Sequence, residues 1–176
     1  MTTQNQTGKT VYSSNLFSVK HIEVVLPDGI RKTYELIDIQ SAVTLLPVDG
    51  DNNVYFVEQF RIGANKTLLE LPAGKIEHNE APSLTAQREL REEIGMDAGK
   101  ITPLGNFYMT PGYASEYMYS FLATGLFPSP LTPDADEFLK VRKIPLEKVM
   151  RMVDAGEFED GKTLAVLMLA RNHLKL

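Results

Sequence analysis

An α+β fold, strand-rich in its first half and closed by helices, is what this chain of 176 residues predicts. Three observations carry that reading. Apolar residues alternate or run continuously in short segments up to Leu71, as strands require. After Gly74 the apolar period lengthens to that of a helix, and two further helical stretches end the chain. Clusters of Pro, Gly, Asp and Asn separate these segments where turns are needed. The length suits one domain with its own core rather than two.

Composition narrows the class before any motif does. Hydrophobic residues make up 43% and charged residues 23%, which excludes wholesale disorder, collagen-like repeats and a coiled coil. The 18 Lys+Arg against 23 Asp+Glu leave a formal charge of −5, a poor basis for gripping nucleic acid or an anionic membrane. Without cysteine there is no disulfide framework, thiol nucleophile or thiolate metal site. No run approaches the roughly 20 apolar residues of a bilayer span. Met1 to Thr10 is polar, lacks the apolar core of a signal peptide and reads as a flexible tail, so the cytoplasm is the expected compartment.

The elements follow in order. Phe17 to Leu26 and Ile30 to Ile39 form a hairpin around Pro27-Asp28-Gly29. Ala42 to Pro47 and Val54 to Phe60 are strands joined by Asp49-Gly50-Asp51-Asn52-Asn53, and Thr67 to Leu71 is a strand stopped by Pro72. Ala86, Leu90 and Ile94 form one side of a helix that starts near Ala81-Pro82-Ser83 and ends at Gly95. Ile101 to Tyr108 and Tyr117 to Ala123 are strands again, followed by a Pro- and Asp-rich loop from Gly125 to Asp136. A last strand, Phe138 to Ile144, leads into helices at Leu146 to Ala155 and Lys162 to Leu174, the latter carrying Leu164, Leu167 and Met168 at helical spacing. His21, His78 and His173 are scattered, without ligand spacing, and read as structural or exposed.

The chemistry concentrates between Gly74 and Met96. Glu89, Glu92 and Glu93 project from a common side of the helix, away from the apolar stripe. Like charges four residues apart cost an isolated helix roughly 0.2–0.5 kcal/mol, which the Arg88–Glu92 pair partly offsets. A solvated acidic face is the ordinary explanation of such a cluster. The alternative is a cation site, and hard oxygen donors without a thiol or nearby imidazole suit Mg²⁺ or Mn²⁺. Gly74 would turn the chain tightly and bring the carbonyl of Ala73 toward Glu89 and Glu93 as a further oxygen ligand. Arg88 is placed to fix Glu80 or Glu92 by charge-assisted hydrogen bonds, orienting them more than catalysing. Divalent cations held this way could bridge a diphosphate, activate a water and stabilise the leaving oxygen.

The positions decide between the two. Gly74, five residues, Glu80, seven residues, then Arg88-Glu89-Leu90-Arg91-Glu92-Glu93-Ile94-Gly95-Met96 fit the Nudix box without a departure. A chance match in the chain is on the order of one in ten million. The chain thus resembles the Nudix hydrolases. The resemblance implies an α/β/α sandwich around a mixed sheet, with metal ligands Ala73, Glu89, Glu92 and Glu93. It also implies cleavage of a nucleoside diphosphate linked to another group, with two or three Mg²⁺ ions per site. Pro111 lies sixteen residues beyond Gly95, and Glu116 follows shortly after. Together with Glu58-Gln59-Phe60-Arg61 and Leu69-Glu70-Leu71-Pro72-Ala73-Gly74, this resembles the ADP-ribose pyrophosphatase branch.

That branch implies further roles. Arg61 would bind substrate, as would the Pro111–Glu116 segment, while Phe17 or Tyr34 (or Tyr12) could stack on the nucleobase. An acidic loop carries the water-activating carboxylate, for which Glu137 is the best match, with Asp136 and Asp134 behind it. Residues 11–40 would form a small N-terminal antiparallel sheet exchanged between two subunits of a homodimer, ahead of a catalytic domain at 41–176. The expected reaction is ADP-ribose to AMP and ribose 5-phosphate. GDP-mannose or broad nucleotide-sugar hydrolysis is the nearest rival, then a dinucleotide polyphosphate or capped-RNA substrate. A Nudix fold kept as a non-catalytic ligand sensor could have lost a box carboxylate, yet Glu80, Glu89, Glu92 and Glu93 are all present.

Overall fold

The computed structural model describes residues 8–132 and 138–174. The chain divides into two compact units, Met1–Ser41 with Tyr108–Tyr117, and Ala42–Phe107 with Met118–Leu176.

In the first unit, β1 (Gly8–Ser13), β2 (Ser18–Val25) and β3 (Arg31–Asp38) form an antiparallel sheet in that order. The β2–β3 hairpin closes where Asp28 accepts the Ile30 N–H at 3.0 Å and Leu26 and Ile30 complete the turn. Strand β1 corrects the sequence reading, which ended a flexible tail at Thr10. Every residue of β1 is exposed, so no apolar alternation marks it, and its pairing with β2 rests on backbone hydrogen bonds. The Tyr108–Tyr117 segment docks on the end of β3. Ile37 donates to Tyr113 O and Ser115 donates back to Ile37 O, while the Ser115 hydroxyl oxygen accepts the Ile39 N–H at 3.0 Å.

The second unit is built on a seven-stranded mixed sheet. Its strands are β4 (Ala42–Val48), β5 (Asn53–Arg61), β6 (Lys66–Glu70), β7 (Ala73–Lys75), β8 (Met96–Tyr108), β9 (Tyr117–Pro128) and β10 (Lys140–Pro145). The main path runs β10-β5-β4-β9-β8, with β6 on β5 and β7 on β4. Strand β4 is central, parallel to β9 and antiparallel to β5 and β7. All seven of its residues are buried, as a strand covered on both faces must be.

Helix α1 (Pro82–Glu93) covers one face, α2 (Leu146–Asp154) and α3 (Gly161–Leu174) the other. Val43 and Leu45 point into a cluster with Ala86, Leu90, Ile94 and Phe121. Leu46, Val48 and Phe56 point into the second, with Val149, Val166, Leu167 and Ala170, and Phe56 stacks on Phe158 at 5.5 Å. Each fully buried Leu or Phe there contributes about 1.5–3 kcal/mol, so alternation along β4 holds both helical layers. This is the expected α/β/α sandwich.

Several boundaries differ from the sequence reading. Strand β8 starts five residues early, through Asp97, Gly99 and Lys100, which are weak strand formers. Strand β9 runs past Gly125 to Pro128, where a loop was expected. On α3 the buried face is Thr163, Val166, Leu167 and Ala170, whereas Leu164 and Met168 of the expected stripe face solvent. The three histidines are exposed.

Candidate active site

Helix α1 begins without a side-chain cap at Ala81, but Pro82 occupies its first turn, where a missing N–H costs nothing. Ala86, Leu90 and Ile94 seat it on the sheet, and that seating turns Glu89 and Glu93 against β7. Both are 6% exposed. They are therefore not the solvated face an acidic cluster ordinarily forms. Ala73 N–H donates to Glu93 Oε2 at 3.0 Å.

Gly74 lies over Glu89. A Cβ at that position would stand 1.9 Å from the Glu89 carboxyl carbon and 2.0 Å from its Oε1. Its φ is not positive, and it pairs with Val43 in the β7–β4 ladder. The glycine is needed for close approach, not for the tight turn expected from sequence.

Arg88 is the hub of the cluster. Its Nη1 donates to Glu89 Oε1 at 2.6 Å and Glu92 Oε2 at 2.8 Å. Its Nε and Nη2 reach the two oxygens of Glu80, each at 3.1 Å, and Nη2 also reaches Lys75 O at 3.0 Å. One guanidinium thus ties the end of β7, the 76–80 loop and two box carboxylates together. Burial alone would lower its pKa, but the Glu80 hydrogen bond, the Glu89 charge and the Glu92 bond outweigh that and raise it. Glu80 is held below the ordinary carboxylate range, chiefly by Arg88, with the buried Thr85 hydroxyl donating at 2.8 Å and the Glu77 N–H at 3.2 Å. Glu80 and Arg88 thus fix one another against the end of β7.

The carboxylates of Glu89 and Glu92 are drawn onto Arg88, and among the described residues no three carboxylate or imidazole side chains converge as a metal cage. The donor set nevertheless fits a hard divalent cation. Two buried carboxylates sit one helical turn apart beside the Ala73–Gly74 backbone, with no thiol or imidazole among them, and a glycine keeps the space over Glu89 open. Ala73, Glu89, Glu92 and Glu93 are the residues that would hold it. When bound, it would neutralise diphosphate charge and supply Lewis acidity.

Arg61, at the end of β5, pairs with Glu70 through two hydrogen bonds, Nε to Oε1 at 2.8 Å and Nη2 to Oε2 at 2.7 Å. Glu70 is 1% exposed and also contacts Lys162, itself 7% exposed. Burial would raise the Glu70 pKa, but Arg61 and Lys162 outweigh it and lower it. Sequence reasoning missed this group, together with Asp160 and Thr163. Two signals were available: Glu70 interrupts an apolar run, and Lys162 stands in the first turn of a helix, where the dipole disfavours a cation.

The second unit thus brings Ala73, Gly74, Glu80, Arg88, Glu89, Glu92 and Glu93 together, and also holds Arg61. The remaining expected substrate contacts fall in the first unit. Phe17, its ring 5.8 Å from Tyr12, lines a cleft of about 370 Å³ with Ser14, Leu16, Asp38 and Gln40. Tyr34 is exposed beneath Lys32 Nζ at 4.9 Å. Pro111 is exposed in the turn closed by Thr110 O, and Glu116 O accepts the Met109 N–H. Asp134, Asp136 and Glu137 lie outside the described residues.

Residues 38–167 match the NUDIX domain. The ADP-ribose pyrophosphatase of Bacillus subtilis (strain 168) is 38% identical over 162 residues, 88% of each chain. The methanol dehydrogenase activator of Bacillus methanolicus is 31% identical over 163 residues, 89% of this chain and 88% of its own. A crystal structure of an ADP compounds hydrolase superposes with a TM-score of 0.86 at 29% identity, covering 99% of this chain and 97% of the other.

Proposed function

The chain belongs to the Nudix family of hydrolases, and we propose that it splits the diphosphate of nucleoside diphosphate sugars, ADP-ribose foremost, releasing AMP and ribose 5-phosphate. The observation that carries this is the pair of buried carboxylates, Glu89 and Glu93, set one turn apart against Ala73–Gly74 and braced by Arg88. Keeping two buried carboxylates together costs desolvation and repulsion, which a divalent cation bound between them would relieve. Divalent-metal dependence is general to the family, and Mg²⁺, two or three ions per site, is our reading here.

Within the chain the roles divide as follows. Glu89, Glu93 and Glu92 with Ala73 hold the metal, and Arg88 and Glu80 fix their positions. Arg61 presents a guanidinium to the substrate, while Phe17 or Tyr34 offers a ring to the nucleobase, and Pro111 and Glu116 are further substrate contacts. Glu137 takes the proton of the attacking water. We read the active form as a homodimer built through the N-terminal strands of residues 11–40, working in the cytoplasm. No helix among the described residues is long and apolar enough to cross a membrane.

The test is purified protein with Mg²⁺ and a panel of ADP-ribose, GDP-mannose and diadenosine polyphosphates, scored by phosphate released with added phosphatase. Fastest release from ADP-ribose is expected, and a preferred non-sugar nucleotide would overturn the substrate reading. Glu137→Gln should lower kcat by about 10²–10⁴-fold with metal affinity kept, as loss of a general base does. Wild-type rates in that variant would place the base elsewhere.

A further inference from the structure

We propose that Lys162 is a positioning residue for substrate binding, acting through Glu70 on Arg61. The inference rests on reading Arg61 as a substrate contact. It starts from a charge that is expensive to keep. Lys162 is 7% exposed, stands in the first turn of α3 against the helix dipole, and comes from 92 residues away to contact Glu70.

Glu70 Oε2 takes both Lys162 Nζ and Arg61 Nη2, so the carboxylate is held from two sides. Lys162 is held in turn by Asp160 Oδ1 at 3.1 Å. The other Asp160 oxygen accepts the Thr163 N–H at 2.9 Å and its hydroxyl at 2.6 Å, and Thr163 Oγ1 accepts the Leu71 N–H at 2.9 Å. The first turn of α3 thus grips two consecutive residues, Glu70 and Leu71. Through Pro72 these lead into Ala73, whose N–H meets Glu93.

Arg61 is the one half-exposed member of this network. Glu70 occupies its Nε–Nη2 edge, and among the described residues Nη1 takes no hydrogen bond, so that corner of the fork is presented to an incoming anion. With Lys162 in place, Glu70 cannot follow the guanidinium outward. Without it, the carboxylate keeps one cation but loses its anchor to α3, and the fork loses a fixed bearing. Displacements of about 1 Å in such supports cost up to about 10²-fold in rate or affinity.

A mutant cycle with ADP-ribose and Mg²⁺ tests this, after wild-type turnover is established. Arg61→Ala should raise KM by about 10–100-fold with kcat nearly kept, the signature of lost uniform binding. Lys162→Met should raise KM by about 10-fold, and Lys162→Arg should recover most of that loss. In the Arg61→Ala background, Lys162→Met should add less than about 2-fold, because its effect runs through the missing side chain. Calorimetric Tm of each variant reports the structural cost separately. Equal fold effects in both backgrounds, or an unchanged KM in Lys162→Met, would overturn the proposal. An unchanged KM in Arg61→Ala would instead overturn the reading of Arg61 beneath it. Asp160→Asn, which keeps the helix cap but removes the charge beside Lys162, provides the same cycle if Lys162→Met does not fold.

Discussion

A methyl group at residue 74 separates two explanations of that position. If Gly74 served a turn, alanine would be tolerated at its ordinary strand φ; as a cradle for Glu89, it is not. The Cβ would fall 1.9 Å from the Glu89 carboxyl carbon, and because that atom ends a flexible side chain, the carboxylate rather than the backbone would move. Gly74→Ala should therefore fold, lose only a few degrees of Tm, and raise the Mg²⁺ concentration for half-maximal rate by about 10–100-fold. A Mg²⁺ titration that superposes on wild type would show that Glu89 does not need the space. Arg88 makes a complementary case. Its five hydrogen bonds use all three nitrogens, in directions a single ammonium cannot reproduce. Arg88→Lys should lower kcat/KM by about 10–100-fold while circular dichroism is unchanged. Retained activity would mean that charge alone, not the fork, orders the box.

How legible an element was depended on whether its partners lie within one turn or across the chain. Helix α1 could be read because its stripe, its first-turn proline and its acidic cluster all lie within about fifteen residues, and Arg88 reaches Glu80 only eight residues back. Strand β7 was hidden by Pro72 and Gly74, which look like breakers until β4 is there to pair with them. Strand β1 carries no buried residue to announce it. Apolar spacing places helix α3 but not its buried face, because Thr163 and Lys162 are buried by polar contacts while Leu164 and Met168 are 37% and 62% exposed. Hydrophobicity cannot forecast a polar face whose partner is 92 residues away. That face makes α3 sensitive at its start. Asp160 caps the helix through the Thr163 N–H, so Asp160→Ala should cost about 1–2 kcal/mol in urea unfolding. Asp160→Asn, which keeps the capping oxygen, should recover much of that; equal losses in the two variants would show that the charge beside Lys162, not the cap, matters at this position.

At the scale of the molecule, the formal charge of −5 describes an acidity that is organised rather than spread. Glu80, Glu89 and Glu92 share Arg88, and Glu70 shares Arg61 and Lys162. Where such pairing lowers a carboxylate's pKa on folding, global stability acquires a pH dependence with a definite sign. Glu70 is lowered from its ordinary 4.5, so the folded state holds its proton less readily than the unfolded chain. Its contribution is present above pH 4.5 and is lost as pH falls below that value through the folded pKa. Glu80 shifts the same way and adds to the slope. Glu70→Gln isolates the buried site. At pH 7 it leaves Arg61 and Lys162 facing a neutral group, at a cost of about 3–5 kcal/mol. As pH falls below 4.5 the unfolded wild-type chain takes up the Glu70 proton first and the folded chain only at its lower pKa, so the gap between the two proteins should narrow. Urea unfolding of both at pH 7, 5, 4 and 3 measures this. A gap that narrows only on the acid side of 4.5 is expected, whereas two parallel curves would mean that the Glu70 charge is not what binds α3 to the strand beneath the site.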